Sequence, residues 1–163
     1  IDTMSSIATA FSDFAEMPEP KKEELNVVEV VELAIDIFNR DQISFNPSSS
    51  KIQANFDRTQ LIRVITNLLK NAFQAIPEDR NPEINVNISE KDNKVNISIS
   101  DNGYGISKMD MEKIFEPSFT TKSSGMGLGL SMIKSIITAY NGSITFNSKS
   151  NVGTTFNITF PKK

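Results

Sequence analysis

Hydrophobic and polar positions follow two different periods along this chain. Over residues 58–76, "RTQLIRVITNLLKNAFQAI", apolar residues recur three and four apart, so Leu61, Val64, Ile65, Leu68, Ala72 and Ile76 form one helical stripe. Asp57, with Gln60 three residues later, opens this helix and Pro77 closes it. Farther on the period drops to two: Ile84, Val86 and Ile88 alternate with polar residues, and so do Val95, Ile97 and Ile99. "EKDNK" between them marks a hairpin, and "NGSITFNSKSNVGTTFNITF" gives a second one. Asn26 followed by Glu29 starts a helix over Val27 to Phe38, and "QISFN" and "SKIQANF" read as short strands around a Pro-Ser turn. "SKMDMEKIF" is a short helix within an irregular stretch, 102–124, and a last helix covers 127–140. At the start, Ile1, Met4, Ile7, Ala8, Phe11 and Phe14 make one more apolar stripe, which ends at a linker, "MPEPKKEE". A chain that opens inside a helix is expected to be a piece of something longer. The order of elements predicts an α+β fold, a two-layer sandwich in which one mixed sheet carries helices on one face.

Composition narrows the function. The 163 residues carry a net charge of −3 with no basic stripe, which disfavours nucleic acid as a partner. No apolar run reaches the roughly 18 residues of a membrane span, so no membrane contact is expected of this segment. Cysteine is absent, which removes disulfides and thiolate metal sites. Histidine is absent too, so the chain holds no histidine base, ligand or nucleophile.

Three stretches carry the candidate chemistry. In "SSGMGLGLSMIKSI" three glycines, Gly125, Gly127 and Gly129, run into a helix although glycine is a poor helix former. The G-x-G-x-x-G dinucleotide loop needs a preceding strand, and "FTTKSS" is not one; the P-loop pattern does not occur. What remains is a lid that ends at a helix N-terminus, whose free N–H groups suit phosphate, with Lys122 just before it. On the long helix, Asn67 and Asn71 lie one turn apart at the edge of the stripe, with Arg63 and Lys70 pointing away. They are either a plain polar flank or amide ligands for a hard cation such as Mg²⁺. In "ISISDNGYGI" a strand ends at Asp101 and the chain turns on Gly103 and Gly105. No alternating strand follows, which separates this run from an ordinary hairpin turn. A carboxylate so placed can accept a hydrogen bond from an exocyclic amine such as adenine N6.

Taken together, "NLLKNAFQAI", "DNGYGI", "IFEPSFTTK", "GMGLGL" and "GTTF" resemble, in order and spacing, the boxes of the histidine kinase catalytic domain, a Bergerat-type ATPase related to gyrase, mismatch-repair ATPases and a heat-shock chaperone. The likeness spans about residues 25–163, and the "FTTK" wording looks most like sensor kinases of the nitrogen-regulation type. It implies the Bergerat fold over residues 20–163, with an ATP lid at about 106–126, preceded at 1–19 by the end of a dimerisation helix and a linker. It implies that Asn71 binds Mg²⁺ with Asn67 beside it, that Asp101 reads adenine, and that Thr154 shares the same water network. It implies that Gly103, Gly105, Gly125, Gly127 and Gly129 let the lid close, that Lys122 meets the terminal phosphates, and that Ile106, Thr121, Leu128 and Leu130 line the nucleotide. Asn67, Asn71 and Lys122 would carry the catalytic roles. One departure stands out: many sensor kinases place a lysine one turn after the metal asparagine, where this chain has Gln74.

The implied activity is transfer of the ATP γ-phosphate to a histidine on dimerisation helices that this chain lacks. The implied full-length protein is a homodimer that serves a response regulator, with this part in the cytoplasm. Two other functions compete. A conformational ATPase of the gyrase kind uses a glutamate one turn before the metal asparagine; that position is Asn67, an amide that takes no proton. A nucleotide-sensing module without catalysis would keep the same boxes. A serine-directed kinase of the anti-sigma kind also lies within the family, and the helix at 1–16 speaks against it.

Overall fold

The alternating segments meet in a single mixed sheet. This computed structural model describes residues 19–116 and 129–163. In chain order its elements are β1 (Glu23–Asn26), α1 (Val27–Ile35), β2 (Ile43–Pro47), β3 (Gln53–Phe56), α2 (Arg58–Gln74), β4 (Ile84–Lys91), β5 (Lys94–Ser100), α3 (Lys108–Met111), α4 (Gly129–Ala139), β6 (Ser143–Lys149) and β7 (Gly153–Pro161). The main sheet runs β2-β4-β5-β7-β6; β2 joins β4 in parallel and the other pairs are antiparallel. The expected β4–β5 hairpin closes on Asp92 and Asn93, both at positive φ (53° and 65°), which a tight two-residue hairpin demands and short Asx side chains tolerate.

Alternation then divides the sheet into two faces. Ile84, Val86, Ile88, Val95, Ile97, Ile99, Phe156, Ile158 and Phe160 are buried beneath the helices, among Val31, Leu61, Val64, Ile65, Leu68, Ile133 and Ile137. The opposite face carries cross-strand rows of uncharged polar residues: Asn85–Ser100–Thr155, Asn87–Ser98–Asn157 and Ser89–Asn96–Thr159. Some of these pair with each other, as Ser100 with Thr155 at 2.8 Å and Thr159 with Asn96 at 2.7 Å. Helices on one face of a mixed sheet are the architecture the sequence predicts.

Both proposed helix starts are capped as the sequence suggests. Asn26 Oδ1 accepts from Val28 N at 3.1 Å and also holds Ile52 N at 3.0 Å. Asp57 Oδ1 accepts from Gln60 N at 3.0 Å, and its second oxygen takes Lys21 N at 2.7 Å. One carboxylate therefore caps α2 and fastens the incoming chain. Asp57→Ala is expected to lower the unfolding free energy by about 1–2 kcal/mol in urea denaturation, with Asp57→Asn recovering most of the loss.

The differences from expectation lie where local pattern is weak. β1 falls in the stretch read as a linker: its four residues pair with β3, Glu23 opposite Phe56, and bury Leu25. β2 and β3 take different partners, β4 and β1. α1 stops at Ile35 rather than Phe38, and Phe38 instead stacks on Phe73 with ring centroids 5.5 Å apart. α2 stops at Gln74, two residues early, and its buried face is wider than the stripe because Leu69 is fully covered and Ile62 and Phe73 pack beside it. α3 is one turn only. The apolar stripe expected over residues 1–16 lies outside the described residues.

Candidate nucleotide-binding site

Two walls meet at one end of the sheet. The first grows from the end of β5. Asp101 N donates to Thr154 O at 2.9 Å, and Asp101 Oδ1 accepts from Gly103 N at 2.8 Å and Thr154 N at 3.3 Å. The carboxylate is thus oriented by backbone groups on both sides of it. Thr154 is buried, and its hydroxyl lies 2.8 Å from Ser148 Oγ, which donates to Gly153 O at 3.2 Å and accepts from Ile106 N at 2.7 Å.

The turn after Asp101 is locked rather than loose. Tyr104 N donates to Ala75 O at 2.8 Å, just past the end of α2, so closely that a Cβ at Gly103 would run into that same carbonyl. Gly105 sits at φ +77° against the backbone of Lys149, which a side chain would strike. Asn151 N reaches Tyr104 O at 2.6 Å from the turn between β6 and β7. Arg80 Nη1 donates to Asn102 O at 2.5 Å and Gly103 O at 3.1 Å. The Asn102 amide is spent on Glu83 N and Asn81 O, both at 2.9 Å.

The second wall is the amide flank of α2 against the start of α4. Asn67 and Asn71 are both half-buried. Asn67 Nδ2 donates to Arg63 O at 2.7 Å, which leaves Oδ1 toward α4: a Cβ at Gly129 would lie 3.9 Å from it. Gly129 is the first described residue of α4, so Asn67 stands beside the described start of that helix. The Tyr104–Ala75 bond joins the two walls one turn beyond Asn71. Asp101, Gly103, Gly105, Ile106 and Thr154 therefore share the first wall, and Asn67, Asn71 and Gly129 the second. Ile106 and Leu130 are half-buried and pack on the core. Thr121, Lys122, Gly125, Gly127 and Leu128 lie outside the described residues.

Known proteins share this sequence and fold. Residues 56–163 match the family of histidine kinase-, DNA gyrase B- and HSP90-like ATPases. The chain belongs to this family. Among its relatives, sporulation kinase A of Bacillus subtilis (strain 168) is 38% identical over 112 residues, 69% of this chain and 18% of that protein. Sporulation kinase B of the same organism is 30% identical over 166 residues, 99% of this chain and 39% of that protein. The chain thus spans well under half the length of these curated relatives. The nucleotide-free catalytic domain of histidine kinase ThkA superposes with a TM-score of 0.77 at 32% identity, covering 87% of this chain and 96% of that one. ThkA in complex with response regulator protein TrrA gives a TM-score of 0.82 at 25% identity, over 99% of this chain and 48% of that one.

This ATPase-family domain is homologous to sensor histidine kinase catalytic domains and has their fold. An NtrY-like kinase of Rickettsia bellii matches at 29% identity, close to sporulation kinase B at 30%, so the nitrogen-regulation subtype is not singled out. Sequence reasoning missed Ser148, Arg80 and Asn102, which hold the walls of the domain in place. Ser148 stands in "NSKSNVGTT" and Arg80 in "PEDRNP", neither of which has a period or spacing that marks it. Asn102 was in plain view within "DNGYG", but its partners are some twenty residues away.

The donor set suits a hard cation of a particular kind. Among the described residues no group of three or more acidic, histidine or cysteine side chains gathers. Asn67 and Asn71 offer neutral amide oxygens, a donor type that fits a hard cation such as Mg²⁺, which keeps several waters and leans on substrate phosphates.

Proposed function

We propose that this domain binds ATP·Mg²⁺ and donates the γ-phosphate to a histidine on another segment of the full-length protein. The observation that carries the reading is the joining of the two walls: a backbone-anchored Asp101 on one, and Asn67, Asn71 and the start of α4 on the other. Asp101 accepts from the adenine amine, with Thr154 beside it. Asn71, with Asn67 adjacent, holds Mg²⁺, which when bound neutralises charge on the phosphates. Lys122, Thr121 and the lid glycines Gly125 and Gly127, with Leu128, enclose the phosphate end. Catalysis is then positioning and charge neutralisation rather than covalent chemistry by the domain.

Two features of the sequence give this direction. The chain contains no histidine, so the acceptor lies elsewhere; the dimerisation helices of the same protein, paired in a homodimer, are the fitting source. Asn67 stands where a hydrolysing relative would need a glutamate base, so water is left unactivated. The ThkA structure with TrrA supports a response regulator as the next partner. No helix of the described residues is long and apolar enough to cross a membrane, which suits a domain working in the cytoplasm. A catalytic unit that begins at about residue 20 is supported by the bond from Lys21 N to Asp57.

Incubation with γ-labelled ATP, with and without the protein's own histidine-bearing helices, tests this. Acid-labile label on the added helices is expected, with near-background phosphate release by the chain alone. Rapid hydrolysis by the chain alone would favour the conformational ATPases. Nucleotide binding without transfer to paired helices would favour a nucleotide-sensing module.

A further inference from the structure

We propose that Tyr140 is a positioning residue for the phosphate end of the nucleotide, acting at a distance through α4. The proposal rests on the nucleotide-binding reading above. Tyr140 follows the last turn of α4, and its ring stacks on Phe56 with centroids 3.7 Å apart and planes 10° apart. Its hydroxyl accepts from Asp57 N at 3.0 Å and donates to Gln60 Oε1 at 3.1 Å. Both side chains are buried, Tyr140 at 7% exposure and Gln60 at 8%. Burial pushes the Tyr140 pKa up, more than the hydrogen bond from Asp57 pulls it down, so the phenol keeps the proton it donates.

Gln60 is not an arbitrary partner. Seven and eleven residues on, at about 100° each, Asn67 and Asn71 return to within about 20° of its direction on α2. The three amides thus line one flank, and α4 runs antiparallel along it: Tyr140 meets Gln60 at one end and Gly129 meets Asn67 at the other. The axial register of α4 on α2 therefore decides where Gly129 and the chain entering it stand relative to Asn67. A directional bond between two buried polar groups penalises every register that breaks it. A phenylalanine at 140 would stack on Phe56 as well, so the hydroxyl contributes direction rather than packing. Tyr140 is thus a remote pin, far along the helix from any group that would touch the nucleotide.

The test compares adenosine, ADP and ATP·Mg²⁺ affinities by calorimetry in the wild type, Tyr140→Phe, Gln60→Leu, the double variant and Ile88→Val. Ile88 is a buried sheet residue remote from the pin and controls for general destabilisation. Tyr140→Phe and Gln60→Leu are each expected to weaken ADP and ATP·Mg²⁺ by roughly three- to tenfold and leave adenosine unchanged. The double variant should lose no more than Tyr140→Phe alone, because the one bond that Gln60→Leu removes is also lost in Tyr140→Phe, which frees Asp57 N as well. Ile88→Val should shift the thermal midpoint without altering the ratio of ATP to adenosine affinity. Gln60→Leu keeps the question open to experiment should Tyr140→Phe fold poorly. An unchanged ratio in both single variants, or adenosine falling in parallel with ATP, would overturn the positioning role while the nucleotide site stands. Absence of nucleotide binding by the wild type would remove the functional reading itself, and the proposal with it.

Discussion

Asp101→Asn should lower ATP and ADP affinity about ten- to hundredfold, the value of one charge-assisted hydrogen bond at roughly 1.5–3 kcal/mol. The two backbone bonds to Oδ1 should survive the change. Asp101 Oδ1 already serves Gly103 N and Thr154 N, and an asparagine keeps that oxygen and both bonds. What changes is the other end of the carboxylate, where an acceptor becomes an amide donor and the charge is lost. An adenine amine then faces a donor. Calorimetric titration with ATP and ADP, beside urea denaturation of the same protein, reads both quantities. Unchanged affinity would take Asp101 out of the site; equal losses in stability and affinity would make it a structural residue of the turn.

Asn71→Ala should remove most of the Mg²⁺-dependent part of ATP binding, on the order of ten- to hundredfold, since even outer partners of a metal site are worth that much. Mg²⁺-free ADP binding should change much less. Asn71 is half-buried and its side chain lies on the flank rather than the core stripe, so its truncation opens no cavity among the packed residues. The readout is ATP and ADP affinity with and without Mg²⁺. Equal losses in all four titrations would mark Asn71 as a support for the helix instead of a ligand.

Local chemistry made much of this molecule legible in its sequence. Asn26 and Asp57 are caps because short side chains with an acceptor oxygen serve the free amides of a first turn, and both do so. The β4–β5 hairpin was visible because Asp92-Asn93 suits a tight turn between two alternating runs. Asp101 was visible as a strand end followed by glycines without a second strand.

Tertiary pairing hid the rest. β1 is four residues with two glutamates and becomes a strand only because β3 offers its edge. The parallel β2–β4 pair joins segments about forty residues apart, and nothing in "QISFN" names its partner. Leu69 falls outside a narrow stripe, yet is fully buried, and Ile62 and Phe73 of the same helix also pack on the core. The bond of Tyr140 to Gln60 crosses eighty residues of sequence, and each side chain alone looks like an ordinary helix-end residue. Gly103 and Gly105 read as hinges of a lid, whereas their described surroundings are carbonyls of Ala75 and Lys149 at close approach. Substituting either would strain the docked turn as well as anything the turn allows to move.

The measurement that bears most directly on the central claim is an amide NMR titration of the ¹⁵N-labelled chain with Mg²⁺ and a non-hydrolysable ATP analogue. A single saturable set of shifts is predicted at Asp101, Gly103, Gly105, Thr154, Asn67, Asn71 and Gly129. The rows Asn87–Ser98–Asn157 and Ser89–Asn96–Thr159 on the opposite face of the sheet, away from Asp101, should stay still. No saturable shifts, or shifts gathered on that outer face, would contradict a nucleotide site between the two walls.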